Sequence, residues 1–169
     1  SKEAPARLTI LGGGVVGVEM AQAWSSLGSE VSLIEAGDRL LAREEPFASE
    51  QVEDALRERG VAIHKGAKAQ AVRATQAGTG GGDGIEVDLE SGETVSGDEL
   101  LVAVGRRPNT DQLGVDTIGL EPGKPIEVDD YMRASDWLYA VGDVNGRALL
   151  THMGKYQARI AADHIAGRD

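Results

Sequence analysis

Residues 10–19 read ILGGGVVGVE: an apolar run closes on three consecutive glycines, and two valines, a fourth glycine and an acid follow. Glycine loses more backbone freedom on folding than any other residue, so a cluster of it directly after an apolar run implies a turn that side chains would obstruct. The flanks show what the turn joins. ARLTILG (6–12) has the apolar density of a strand, and VVGVEMAQAWSSLG predicts a helix with an apolar face of Val16, Met20, Ala23, Trp24 and Leu27. Gly28 follows as a left-handed cap.

Gly12, Gly14 and Gly17 fit G-x-G-x-x-G between that strand and that helix. Gly12 makes the tight turn, Gly14 lets backbone approach a pyrophosphate, and Gly17 lets the helix pack on the strand. The first helical amides, those of Val15 and Val16 among them, then offer unpaired N–H groups and a positive dipole end to the phosphates. Gly13 receives no role from this spacing. Glycine-rich turns also arise for structural reasons alone, and Glu35 is what favours a nucleotide. It closes EVSLIE (30–35), about 20 residues on, where an acid bonds a ribose 2′-hydroxyl. A carboxylate there repels a 2′-phosphate, so NAD(H) is favoured over NADP(H). Arg39 reads as a surface arginine.

Downstream, ASEQVEDALRERG predicts a second helix closed by Gly60, and VAIHKG a third strand, so strands alternate with helices as in a parallel sheet. The rhythm then changes. AKAQAVRAT, a flexible QAGTGGGDG, and IEVDLESGETV, where Ile85, Val87 and Leu89 alternate with Glu86, Asp88 and Glu90, predict an antiparallel hairpin or meander turning at Ser91 and Gly92. LLVAVG (100–105) is expected to rejoin the parallel sheet as a strand buried on both sides. From about residue 112 Gly, Pro and Asp dominate until DWLYAVGD, expected as a short strand ending on an acid; a helix follows from about His152 to Ala166. One strand and one helix do not close a core, so residues 113–169 are expected to be part of a second domain. The fold class expected is α/β: a Rossmann-like parallel sheet with an antiparallel β-meander crossover, plus a partial second domain.

With 169 residues and 41% apolar content, the chain has material for one domain and part of another. A net charge of −11 disfavours nucleic acid and anionic membrane surfaces as partners. No apolar run approaches the ~20 residues of a membrane span, and no amino-terminal signal pattern is present, so a cytoplasmic location is expected. There is no cysteine, which removes disulfides, thiolate metal sites and thiol chemistry from these residues, and no metal site is expected. A short-chain dehydrogenase would need Tyr-x-x-x-Lys, but Tyr131, Tyr139 and Tyr156 are followed four positions later by Ser135, Asp143 and Ile160.

Three segments in order, GGGVVGVEMAQAWSSLGSEVSLIE, AVGRRPNT and DWLYAVGDV, resemble the flavin-dependent pyridine nucleotide–disulfide oxidoreductases, a family that includes dihydrolipoamide dehydrogenase and mercuric and glutathione reductases. The resemblance implies an NAD(H)-binding domain over residues 1–112 and, over 113–169, the carboxy-terminal segment of an incomplete FAD-type domain. It implies that Glu19 lies near the nicotinamide and pairs with a flavin-domain lysine, and that Gly105 lets backbone lie against the nicotinamide end. Arg106, Pro108 and Asn109 would shape the return to the flavin domain. Asp143 would accept a bond from a flavin ribityl hydroxyl, and Thr151 would cap a helix whose positive end faces the flavin pyrimidine. His64 and His164 read as surface residues, and His152 carries no assigned role.

No catalytic residue is expected within these residues. The intact protein is expected to be a homodimer carrying FAD and using NAD(P)H, passing hydride to the flavin and electrons to a disulfide or other acceptor. The chain by itself is expected not to turn over. The competing reading is a non-catalytic NADH-binding redox sensor; YAVGD argues against it, because such a sensor has no use for a flavin contact.

Overall fold

The computed structural model describes residues 3–76, 78–79 and 83–168, so part of the expected flexible glycine-rich loop, at 77 and 80–82, lies outside the described residues. The chain divides into two compact units, residues 1–105 and 106–169. The composition change near residue 112 therefore falls inside the second unit.

The first unit runs β1 (Arg7–Leu11), α1 (Val15–Ser26), β2 (Glu30–Ile34), α2 (Pro46–Glu58), β3 (Ala62–His64), β4 (Ala69–Thr75), β5 (Gly84–Leu89), β6 (Thr94–Gly97) and β7 (Glu99–Val102). A parallel sheet has the order β3-β2-β1-β7, and β4-β5-β6 form a separate antiparallel sheet. The α/β reading, with a meander replacing one crossover helix, is the fold observed.

Strand side chains alternate in direction, so adjacent residues of β2 serve different layers. Val31 and Leu33 join Leu8, Ile10, Leu40, Leu56 and Val61 in one core, while Ile34 joins Val87, Leu89 and Val95 in the other. A fully buried leucine or isoleucine contributes roughly 1.5–3 kcal/mol through burial, which makes these two layers the main support of the sheet.

Two sequence expectations are corrected here. The buried face of α1 is Gly17, Val18 and Ala21, with Met20 and Trp24 packed beside them, whereas Val16, Ala23 and Leu27 are exposed. The close approach of Gly17 to β1 sets the helix rotation, and glycine and alanine give no hydrophobic signal. The strand from LLVAVG does rejoin the parallel sheet, but at an end of its order, and it is not buried on both sides: Val102 is 61% exposed.

The second unit contains 3-10 turns at Val115–Ile118 and Gly142–Asn145, and α3 (Thr151–Ile165), around a small core of Val115, Ile126 and Ala140. DWLYAVGD does not form the expected strand. Only an isolated antiparallel bridge joins Arg133 to Tyr139, and the segment between them folds into a turn, with Ala134 N–H donating to Leu138 O at 2.8 Å and Trp137 exposed at its tip. Thr151 begins α3 instead of preceding it; Leu150 occupies the cap position, and no side chain caps the helix there. His164 is not a free surface residue, because the Tyr139 hydroxyl lies 2.8 Å from its Nδ1 and Tyr131 stacks on its ring at 4.4 Å. His64 is half-buried, with Nδ1 3.3 Å from a Glu93 carboxylate oxygen.

Candidate functional site

A cleft of about 420 Å³ opens at the carboxyl ends of β1, β2 and β7, lined among others by Gly12, Gly14, Glu35, Lys68 and Gly105. The three fingerprint glycines have three distinct surroundings. Gly12 adopts φ +108°, and a Cβ there would stand 2.6 Å from the Ala103 carbonyl oxygen. A Cβ on Gly17 would stand 1.8 Å from the Gly12 carbonyl oxygen, so the helix approaches the turn at a distance only glycine permits. A Cβ on Gly14 would meet nothing within 4 Å. Gly14 faces open space, which is where a ligand's backbone approach would be accommodated.

Gly14 is also the N-cap of α1, and it has no side chain to occupy the helix's first amides; the first backbone bond runs from Val18 N–H to Gly14 O at 3.0 Å. The amides of Val15, Val16 and Gly17 therefore have no intrahelical partner and lie at the positive end of the helix dipole. Val15 and Val16 are half or more exposed.

Glu35 stands at the end of β2, held by backbone on both sides. Its Oε2 accepts from Gly13 N–H and its Oε1 from Gly37 N–H, each at 2.6 Å. Its own backbone joins β3, with Glu35 N–H donating to His64 O at 2.8 Å. A smaller cleft of about 210 Å³ also borders Glu35, lined by Gly13, Val15, Leu41 and Arg43 among others. Arg39 is folded into the adjoining loop, donating to Ala42 O at 2.7 Å and Glu44 O at 3.0 Å. Lys68, the cation among the residues lining the larger cleft, is paired with Glu90 at 2.8 Å, which holds its ammonium above its ordinary range.

The structure thus brings Gly12, Gly14, Glu35 and Gly105 together on one cleft. Val15 lines the smaller cleft, Gly17 is buried behind the turn, and Val16 and Glu19 are exposed on α1 without lining either cleft.

In the second unit Asp143 sits on the Gly142–Asn145 turn and accepts from the Arg106 guanidinium at 2.7 Å, an exposed pair. The turn is fixed from behind by two buried amides. Gln157 Oε1 accepts from Gly142 N–H at 2.7 Å and from Asn145 Nδ2 at 2.9 Å, while Asn145 Nδ2 also donates to Ala140 O at 3.0 Å. Gly154 on α3 packs against this turn, where a Cβ would stand 3.3 Å from Gly142 Cα. Thr151, at the start of α3, is exposed.

Sequence reasoning overlooked Gly13, Asn145 and Gln157. The triple glycine at 12–14 was a visible signal for the first. The two amides carry none, because their pairing joins a turn to a helix. Among the described residues no group of three or more His, Asp or Glu is placed to hold a metal, and no helix is long and apolar enough to cross a membrane.

The family described as pyridine nucleotide-disulphide oxidoreductase matches residues 1–162. The mercuric reductase of Lysinibacillus sphaericus is 38% identical over 169 residues, covering 98% of this chain and 30% of that protein. The dihydrolipoyl dehydrogenase of Bacillus subtilis (strain 168) is 37% identical over 173 residues, covering 98% and 36%. Among solved structures, LpdA from Mycobacterium tuberculosis superposes with a TM-score of 0.86 at 32% identity, over 100% of this chain and 36% of that one. The HOCl-induced flavoprotein disulfide reductase RclA from Escherichia coli also gives 0.86, at 31% identity, over 100% and 38%. The chain spans about a third of the length of the curated relatives it matches. With a family match that runs over residues 1–162 and includes the glycine turn, Glu35 and Asp143, this chain belongs to the pyridine nucleotide-disulphide oxidoreductase family.

Proposed function

We propose that the first unit holds NAD(H) in preference to NADP(H), and that the second contributes to an FAD site, within a parent oxidoreductase that moves hydride from NAD(P)H to flavin and electrons onward to a disulfide or other acceptor. The observation that carries this reading is the cleft itself, with unobstructed backbone at Gly14 on one side and a fixed carboxylate at Glu35 on the other. Those residues fit a dinucleotide: the amides at Val15, Val16 and Gly17 suit a pyrophosphate, and Glu35 suits ribose hydroxyls. Anion binding here draws on backbone dipoles, since Lys68 is already paired.

Each group on the chain then has a binding or orienting task. Gly12 shapes the turn and Gly105 admits the nicotinamide end; Glu19, exposed on α1 and lining neither cleft, would meet the nicotinamide where it extends beyond them. Asp143, with the start of α3 at Thr151, would hold flavin groups, with Gln157 and Asn145 fixing the turn that carries the acid. Nicotinamide supplies hydride and flavin receives it; the protein supplies position and electrostatics. These 169 residues contain no cysteine, so a disulfide-reducing cycle takes its thiols from elsewhere in the parent, and the chain alone binds nucleotide without turnover. The working parent on this reading is a cytoplasmic homodimer.

Calorimetric titration of the chain with NADH and NADPH tests the first half. NADH should bind tighter by about tenfold or more, equivalent to about 1.4 kcal/mol. Equal or reversed affinities remove the NAD(H) assignment. For the second half, the parent protein should carry bound FAD. A parent that neither contains nor accepts FAD would instead favour a nucleotide-sensing role.

A further inference from the structure

The geometry points to Gly13, the glycine outside the fingerprint spacing, as a positioning residue that fixes Glu35 and thereby sets the nucleotide selectivity of the cleft; this rests on the proposed role of Glu35. A Cβ on Gly13 would stand 2.6 Å from Leu40 Cδ2, 2.9 Å from Glu35 Oε2 and 3.0 Å from Glu35 Cβ. Gly13 is not among the residues with positive φ, so the constraint is space and not backbone conformation. Only a residue without a side chain lets the carboxylate come close enough to take the Gly13 N–H at 2.6 Å.

The wall opposite cannot retreat easily. Leu40 is fully buried, its carbonyl accepts from the buried Ser49 hydroxyl at 2.5 Å, and the next residue, Leu41, donates its N–H to Gly13 O at 2.9 Å. A side chain at position 13 therefore displaces Glu35, the partner with open cleft beside it.

What the clamp adds is immobility. A carboxylate offers about four acceptor directions; one on each oxygen is taken by Gly13 and Gly37, which leaves one on each for ribose hydroxyl donors. A carboxylate on a free side chain would swing away from a 2′-phosphate and blunt the repulsion. To swing away here, Glu35 must give up two charge-assisted bonds to backbone. Selectivity then comes from where the charge is held as well as from its sign.

The test is Gly13→Ala in the 169-residue chain, read in two ways. By calorimetry NADH should weaken by about tenfold, the scale of losing a hydrogen bond to a charged group, while NADPH changes by less than about twofold, so the ratio of the two affinities falls. In the nucleotide-free protein, the amide proton of Gly37 should move upfield in the NMR spectrum, because Oε1 leaves it although the substitution does not touch it. Equal weakening of both nucleotides, or an unmoved Gly37 resonance, overturns the inference.

Gly37→Ala provides an independent variant, with a Cβ 3.2 Å from Glu35 Oε1. It should lower the same ratio by a smaller factor. If Gly13→Ala does not fold, a wild-type ratio in Gly37→Ala overturns the inference. A wild-type chain that binds both nucleotides equally removes the reading of Glu35, and this inference with it. A wild-type preference that survives both substitutions removes only the role of Gly13.

Discussion

Gly17 meets Gly12 so closely that a Cβ on Gly17 would overlap the Gly12 carbonyl oxygen, at 1.8 Å. This contact sets the height and rotation of α1 over β1, and with them the place where the helix's first amides open into the cleft. Replacing Gly17 by alanine should cost about 1–3 kcal/mol, the usual range for overpacking, and should shift α1 as it relieves the overlap. Denaturant unfolding measures the first effect. Loss of NADH binding in the folded variant measures the second.

Removing the carboxylate at Glu35 tests charge separately from position. Glu35→Ala leaves the Gly13 and Gly37 amides without their shared acceptor and removes the repulsion of a 2′-phosphate. NADH should weaken by about tenfold while NADPH holds or tightens. Titrating both nucleotides into the variant decides the matter, with an unchanged ratio as the adverse result.

Asp98 ties the start of β1 to the residue after β6. It accepts from Arg7 N–H at 2.8 Å, from the Arg7 guanidinium at 2.9 Å and from Thr79 N–H at 2.7 Å. Burial by itself would raise this carboxyl, but these bonds more than offset it and hold the group well below the usual carboxylate range. A depressed folded-state value means that the stabilisation is complete above the unfolded value near 4 and is lost as pH falls toward the folded one. Wild type should therefore exceed Asp98→Asn in stability at pH 7, and the gap should narrow steadily below about pH 4. Denaturant midpoints across pH report it; a gap constant from pH 7 to pH 3 would contradict the assignment.

In the second unit, Gln157→Ala would leave the Gly142 N–H and an Asn145 amide proton without the acceptor they share in a buried turn. The expected cost is about 1–3 kcal/mol, seen as a lower unfolding midpoint. On the proposed flavin reading, the parent carrying this change should also lose FAD more readily on dilution. Glutamine-to-glutamate at this position keeps an acceptor and should recover part of the stability.

Arg106→Ala gives the contrasting case. Arg106 and Asp143 form a short ion pair, but both are widely exposed, at 63% and 49%. Pairs of that kind contribute between nothing and about 1 kcal/mol. Thermal unfolding of this variant should match wild type within about 0.5 kcal/mol.

The parts of this molecule legible in its sequence are those whose cause is local. The spacing of Gly12, Gly14 and Gly17 and the placing of Glu35 at a strand end follow from a single strand-turn-helix-strand unit, and alternation along Ile85–Leu89 marks the meander. What escaped the sequence depends on contacts between distant segments. Gly13 matters through Leu40, Gln157 through Gly142 and Asn145, and the rotation of α1 through two residues, Gly17 and Ala21, that any hydrophobic count passes over. LLVAVG reads as a central strand because its composition does not reveal that β7 ends the sheet order. Tyr139, inside a segment read as a strand, instead closes a turn and meets His164.

The pairing of β1 with β7 also ties the cleft to a distant part of the chain. Leu8 lies opposite Glu99, and the adjoining contact between Arg7 and Asp98 spans 91 residues of chain. Such a long closure loses its entropy before the contacts that reward it form, which is the condition for slow folding. Gly12 fits against Ala103, just beyond β7, so the cleft is incomplete wherever β7 is not docked on β1. A nascent chain can carry the entire glycine fingerprint and still have no place for a nucleotide, and the appearance of nucleotide affinity during refolding would time the arrival of β7.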